Sequence, residues 1–124
     1  MARILIAEDE EALCAMCARA LATAGHEVKT AYDGSDALDL LQREDGHFDL
    51  LLTDIRMPIM DGIALSLAAA RDYPDLTILL MTGYADQRER AHGLDAIIHD
   101  VIAKPFSLAT LRGAVDEALT VKTR

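Results

Sequence analysis

Tryptophan is absent from the chain and aromatic residues make up only 4% of it, so a core has to be built from aliphatic side chains. Cysteine is scarce as well. Cys14 and Cys17 alone make no disulfide framework, which excludes the disulfide-stapled secreted folds and fits a reducing, cytoplasmic setting. Basic residues fall short of acidic ones, 12 against 21, leaving a formal net charge of −9. A chain this acidic does not hold nucleic acid or anionic membranes by general electrostatics, so its partners are sought among proteins and cations. No apolar run approaches the ~18 residues that span a bilayer, and none at the start has the form of a secretion signal.

What is present is apolar and periodic. Hydrophobic residues make up 52% of the 124 positions, enough for one domain with a buried core. Residues 3–7 form a short apolar run that empties into Glu8-Asp9-Glu10-Glu11. Behind it Leu13, Met16, Cys17, Ala20, Leu21 and Ala24 recur at helical spacing, and Gly25 stands where a helix C-cap belongs. The cycle then repeats. A strand is expected at 28–31, a turn at Asp33-Gly34-Ser35, and a helix at 36–43 with Ala37, Leu38 and Leu41 on one face. A leucine-rich strand follows at 48–53, then, after Asp61-Gly62, a helix to about Arg71 and a strand at 76–81. A short helix at 86–92, interrupted by Gly93, leads to a strand at 99–103. Ser107 caps a last helix with Leu108, Leu111, Val115, Ala118 and Leu119 on its core face.

Five short strands alternating with five helices imply an α/β fold, a parallel sheet covered on both faces, because parallel neighbours need crossover connections. Ligands of such sheets bind beyond the carboxyl ends of the strands. Glu8 and Asp9 follow the first strand, Asp54 the third, Thr82 the fourth and Lys104-Pro105 the fifth. Three carboxylates on one rim repel one another, and a hard cation relieves them. Few carboxylates with water and substrate oxygens make the environment Mg2+ prefers. Asp54, on the most rigid strand, is the candidate nucleophile towards a phosphoryl group. The metal and Lys104 would neutralise the transferring charge, and Thr82 would donate to one of its oxygens.

This constellation resembles the receiver domain of two-component response regulators. The matching residues are Glu8-Asp9, the run from Asp54 through Met57-Pro58 to Asp61-Gly62, Thr82-Gly83, and Lys104-Pro105-Phe106. The likeness covers about residues 3–119. It implies a doubly wound, five-stranded, flavodoxin-like sheet of order 2-1-3-4-5. It further implies that Asp54 takes phosphate from a phosphohistidine, and that Glu8, Asp9, Asp54 and the Arg56 backbone carbonyl hold Mg2+. Thr82 then meets the phosphate, Lys104 bonds to it, and the bond before Pro105 is cis.

Two positions depart from the pattern. Three residues before the lysine, many receivers carry an aromatic ring that turns inward on activation; here Val101 stands there, so the switch needs another account. Tyr84, two residues after Thr82, is the nearest aromatic, although it also reads as a surface loop residue. Arg56 stands two residues after Asp54, where the resemblance implies that a side chain borders the path of the hydrolytic water. Arg56 and Tyr84 are together read as tuning the lifetime of the phosphoryl group.

Other readings weigh less. Cys14-Ala-Met-Cys17 matches a redox motif in letters, yet two small residues at i and i+3 inside an amphipathic helix read as core. The four histidines have no metal-type spacing. A flavodoxin-type ligand module would need a hydroxyl- and glycine-rich loop where Glu8-Asp9-Glu10-Glu11 stands. A haloacid-dehalogenase-like phosphatase would want its nucleophile after the first strand. A degenerate receiver, a phosphorylation-independent interaction module, is the most serious rival, but no site position is missing.

Residues 1–124 therefore read as a single receiver domain with no effector domain, a phosphoacceptor signalling module rather than an enzyme. Its partners are a histidine kinase or phosphotransferase and a downstream protein, and it is expected to be a monomer or weak dimer. Among single-domain receivers, the runs Ile4-Leu-Ile-Ala-Glu-Asp-Glu10, Leu50-Leu-Leu-Thr-Asp-Ile-Arg-Met-Pro58, Leu80-Met-Thr-Gly-Tyr-Ala85 and Lys104-Pro-Phe-Ser-Leu108 look most like the CpdR type, which implies an adaptor for the ClpXP protease. A motility-type shuttle and a phosphate-sink relay intermediate are the alternatives.

Overall fold

The computed structural model describes residues 1–83, 91 and 93–122. The helix expected at 86–92 and the role assigned to Tyr84 lie outside the described residues. In chain order the elements are β1 (Arg3–Ala7), α1 (Glu11–Thr23), β2 (Glu27–Ala31), α2 (Gly34–Arg43), β3 (Leu50–Asp54), α3 (Gly62–Asp72), β4 (Thr77–Thr82), β5 (Asp100–Ala103) and α4 (Leu108–Lys122). The five strands form one parallel sheet in the order β2-β1-β3-β4-β5, as expected. Four helices stand among the described residues, and none of these is long and apolar enough to cross a membrane.

Alternation along the central strands explains their apolar runs. Successive strand residues point to opposite faces. On one face Leu5, Leu51, Ile78 and Leu80 pack with Ala37 and Leu41 of α2 and Leu65 and Ala69 of α3. On the other, Ile4, Ile6, Leu50, Leu52, Leu79 and Met81 pack with Cys14, Cys17 and Leu21 of α1 and Leu111, Val115 and Ala118 of α4. Every residue of β3 is buried, because both of its faces and both of its edges are covered.

The helix ends follow local chemistry. Asp33 and Asp61 cap α2 and α3, their side chains accepting from Asp36 N–H at 2.8 Å and Ala64 N–H at 2.9 Å. Ser107 caps α4 through Thr110 N–H at 3.0 Å. Helix α1 ends in a Schellman motif: Gly25 N–H bonds to Ala22 and His26 N–H to Leu21, with Gly25 at φ 99°. At the amino ends of the strands, Arg3 reaches Glu27 at 2.8 Å, Glu44 and the His47 carbonyl, and lies 4.6 Å from the Phe48 ring centre. One side chain thus ties β1, β2 and the α2–β3 connection.

Three expected core residues are corrected. Met16 and Leu108 were placed on buried faces but are 44% and 37% exposed. Helix α1 buries Cys14, Cys17, Ala20 and Leu21 instead, so its buried stripe is rotated away from Met16, and Ala24 is exposed with it. Met16 and Leu108 both face an open groove between α1 and α4 of about 470 Å3, where Ala12 and Ala15 are too small to close the gap. Cys14 and Cys17 are buried free thiols. Burial pushes the Cys17 thiol up to about 11, which keeps it protonated and unreactive.

The connection from β3 to α3 folds closely back on the strand end. Gly62 N–H bonds back to the Ile55 carbonyl at 2.8 Å. A Cβ on Gly62 would stand 2.0 Å from the Asp54 carbonyl oxygen. Backbone is the obstacle there, so Gly62→Ala has to shift the end of β3 itself. Overpacking of this kind costs about 1–3 kcal/mol. Urea denaturation should show Gly62→Ala destabilised by that order, and stability equal to the native chain would mean that the loop yields freely.

Candidate functional site

Parallel register brings the expected residues to one rim. Ala7 of β1 lies beside Thr53 of β3, Asp54 beside Met81, and Thr82 beside Ala103. Glu8, Asp54, Thr82 and Lys104 therefore leave neighbouring strands at one level, despite lying up to 96 residues apart. A cleft of about 670 Å3 opens there, with Glu8, Asp9, Asp54, Arg56 and Lys104 among its walls.

Glu8, Asp54 and Thr82 are buried, while Asp9 and Arg56 are exposed. Carboxylate oxygens of Glu8, Asp9 and Asp54 all lie within 4.8 Å of one another. Lys104 Nζ donates to Glu8 Oε1 at 2.6 Å and stands 3.2 Å from Asp54 Oδ2. Asp54 Oδ1 accepts from Ile55 N–H at 2.9 Å, and Glu8 Oε2 from Glu10 N–H at 3.3 Å. These bonds fix which oxygens face the cleft. Lys104 N–H bonds to the Thr82 carbonyl at 2.8 Å, tying the ends of β4 and β5. The Lys104–Pro105 peptide is cis.

The electrostatics are those of an under-neutralised acidic cluster. Burial is the main cause that pushes the Glu8 carboxyl up to about 7; Asp54 adds to the effect and the bond from Lys104 opposes it. Burial pulls the Lys104 ammonium down, but its bond to Glu8 and the fields of Asp54 and Glu8 outweigh that and leave it raised. One ammonium cannot neutralise three carboxylates, so the cluster has room for a cation. Its donors are all hard oxygens, which fits a small divalent ion such as Mg2+ and disfavours softer metals.

The remaining expected residues fall around this centre. Val101 of β5 is half-buried, packed against the α2–α3 side of the core and paired in register with Leu80. It is a packing residue where it stands. Sequence reasoning passed over the apolar wall of the cleft, formed by Leu13, Met16, Pro105 and Phe106. It also passed over Ile59, which is 85% exposed with φ 70°. The only sequence signal for Ile59 was a β-branched residue inside a Pro58-to-Gly62 turn.

The chain matches the response regulator receiver domain family over residues 4–116. It is 39% identical over 119 residues to the response regulator receiver protein CpdR of Brucella abortus, covering 96% of this chain and 98% of that one. It is 36% identical to the response regulator MprA of Mycobacterium avium, covering 88% of this chain but only 47% of that longer protein. Its fold is similar to that of TrrA from Thermotoga maritima, solved in complex with Mg2+ and BeF, with a TM-score of 0.83 and 27% identity. That match covers 95% of this chain and 99% of the other.

A carboxyl raised by burial makes stability depend on pH. Folded Glu8 keeps a proton up to about pH 7, whereas unfolded Glu8 loses it near 4.5. The folded state therefore binds more protons between those values, and stability falls as pH rises across that window. Denaturation in a chelator should show this fall, and Glu8→Gln should flatten it. Parallel curves for the two proteins would mean that Glu8 titrates normally.

Proposed function

This chain belongs to the response regulator receiver family, and we propose that it works as a phosphorylation switch whose acceptor is Asp54. The observation that carries the reading is a buried carboxylate at the end of a wholly buried strand, 3.2 Å from a lysine ammonium and grouped with two further carboxylates. A carboxylate that costs this much to bury is retained where it reacts.

An Asp54 carboxylate oxygen forms the new P–O bond as the P–N bond of a phosphohistidine breaks, the electron pair leaving with the imidazole nitrogen. Glu8, Asp9, Asp54 and the Arg56 carbonyl would hold Mg2+, which supplies positive charge to the transferring phosphoryl oxygens. Lys104 already stands against Asp54 Oδ2, where it meets a group formed on that oxygen. Thr82, at the end of β4, donates its hydroxyl to the phosphoryl group. Arg56 and Tyr84 set how fast water removes it, and Val101 gives the switch no aromatic ring to turn.

Intact mass tests this directly. Incubation with acetyl phosphate and Mg2+ should add one phosphoryl group to the native chain and none to Asp54→Asn. No gain from the folded native chain with either acetyl phosphate or a histidine phosphotransferase would remove the proposal and favour the degenerate receiver. Decay of the labelled protein checks the tuning role: unchanged lifetimes in both Arg56→Ala and Tyr84→Ala would end it.

For output we propose the CpdR type of role, an adaptor to the ClpXP protease acting as a single module. The end-to-end likeness to CpdR of Brucella abortus supports it. Immobilised protein should capture the protease mainly when unphosphorylated. Capture of a target only when phosphorylated would point to a shuttle, and capture of a phosphotransferase alone to a sink.

A further inference from the structure

Strand β2 is an edge of the sheet and pairs only with β1. Glu27 N–H bonds to the Ala2 carbonyl at 2.9 Å, and the Ala31 carbonyl accepts from Glu8 N–H at 3.0 Å. Along a strand in a parallel pair, alternate residues send both backbone groups to the same neighbour. Glu27, Lys29 and Ala31 are thus committed to β1, and Val28 and Thr30 point their N–H and carbonyl groups away from it. An edge of this kind is a template for a further strand.

There is room for one. An open groove of about 780 Å3 runs along β2 beside α2, with Lys29, Ala31, Asp36, Asp39 and Arg43 among its walls. Ala31 packs with Ala37 and Leu41, whereas Val28 packs against the other core. Glu27 and Lys29 therefore stand on the α2 side of the sheet, and both are exposed. Arg3 holds Glu27 at 2.8 Å. Lys29 forms no ion pair among the described residues and acts on Glu44 only through its field.

These charges select the occupant. An antiparallel strand meets Val28 or Thr30 in its hydrogen-bonded pairs, because only their backbone groups face outward. For a second copy of β2 that leaves three registers within the strand. Val28 opposite the partner's Thr30 sets Lys29 against the partner's Lys29, and the two repel. Thr30 opposite the partner's Thr30 sets Lys29 against the partner's Ala31, and no charge is paired. Val28 opposite the partner's Val28 sets Glu27 against the partner's Lys29, and Lys29 against the partner's Glu27. Those are non-hydrogen-bonded pairs, in which side chains lie closest, and the two-fold axis makes the contact twice. The same axis lays α2 antiparallel to its copy. Helix α2 carries Asp36 in its first turn and Arg43 in its last, so opposite charges face each other across the groove as well.

We infer that the chain associates with a second copy through β2, antiparallel about Val28, joining the two sheets into one continuous sheet. The two Glu27–Lys29 pairs fix the register. The acidic cleft takes none of its walls from β2, so each copy keeps its own.

Sedimentation velocity over a concentration series tests this, with Glu27→Lys and Lys29→Glu beside the native chain. The native chain should form a dimer at high micromolar concentration. Each variant places like charges in both pairs, so its dimer should dissociate with a constant about tenfold or more higher. An equimolar mixture of the two variants brings opposite charges together again at both pairs. It should form a heterodimer of near-native affinity, identified by native mass spectrometry, and that recovery also shows both variants to be folded. A native chain that stays monomeric up to about 1 mM would overturn the inference and leave the edge to a strand of another protein. So would variants that dimerise like the native chain, which would place the interface elsewhere. Failure of the mixture to recover would overturn it too.

Discussion

Lys104 lying between Glu8 and Asp54 is the contact on which the rest of this molecule depends. Two carboxylates are buried at the end of a sheet whose interior is otherwise aliphatic, and one ammonium 2.6 and 3.2 Å away makes that tolerable. Burying an isolated charge costs far more than a domain of this size can absorb. The neutralisation is incomplete by design of the site: with three carboxylates and one lysine, the cluster is most comfortable when it holds a proton or a further cation. Burial, with Asp54 beside it, raises the Glu8 carboxyl against the pull of Lys104. A site built this way responds to added positive charge and to groups that bring it.

The sheet exists, in this view, to hold those strand ends in register. Parallel pairing sets Ala7 beside Thr53, Asp54 beside Met81 and Thr82 beside Ala103, so that the residues at the strand ends converge without any local sequence relation. The two cores keep the register rigid from both sides. Gly62 adds a constraint from the loop, since its missing side chain lets the chain turn back against the Asp54 carbonyl. Asp54 is therefore gripped by the sheet on one side and by its own loop on the other. Arg3 closes the opposite end of β1 and β2, where no chemistry is needed and a salt-bridged hub is tolerated.

Much of this was legible in sequence because it rests on short-range patterns. Alternating aliphatic residues announce two-faced strands, and Asp33, Asp61 and Ser107 announce helix starts through their own side-chain geometry. The carboxylates and Lys104 were legible as strand-end residues once the fold class was known. Met16 and Leu108 were misjudged for a physical reason. Periodicity identifies an apolar stripe but not its outer limit, and small neighbours such as Ala12 and Ala15 leave a groove that two large side chains border without filling. The direct bond between Lys104 and Glu8 was also out of reach, because pairing among several charges on one rim is decided by angstroms.

Ile59 marks the boundary of sequence reasoning most clearly. Turn chemistry favours glycine, asparagine or aspartate where φ is positive, so an isoleucine inside a turn gives no hint that its backbone is left-handed. Only the hydrogen bond from Met60 to Pro58 and the anchoring of Met60 to Gly34 reveal the enforced geometry. The same anchoring joins the β3–α3 loop to the start of α2, so the Asp54 connection touches a second helix as well as its own. A residue that violates its local preference is held there by its neighbours, here the inward-packed Met60 and the closure of Gly62 on Ile55.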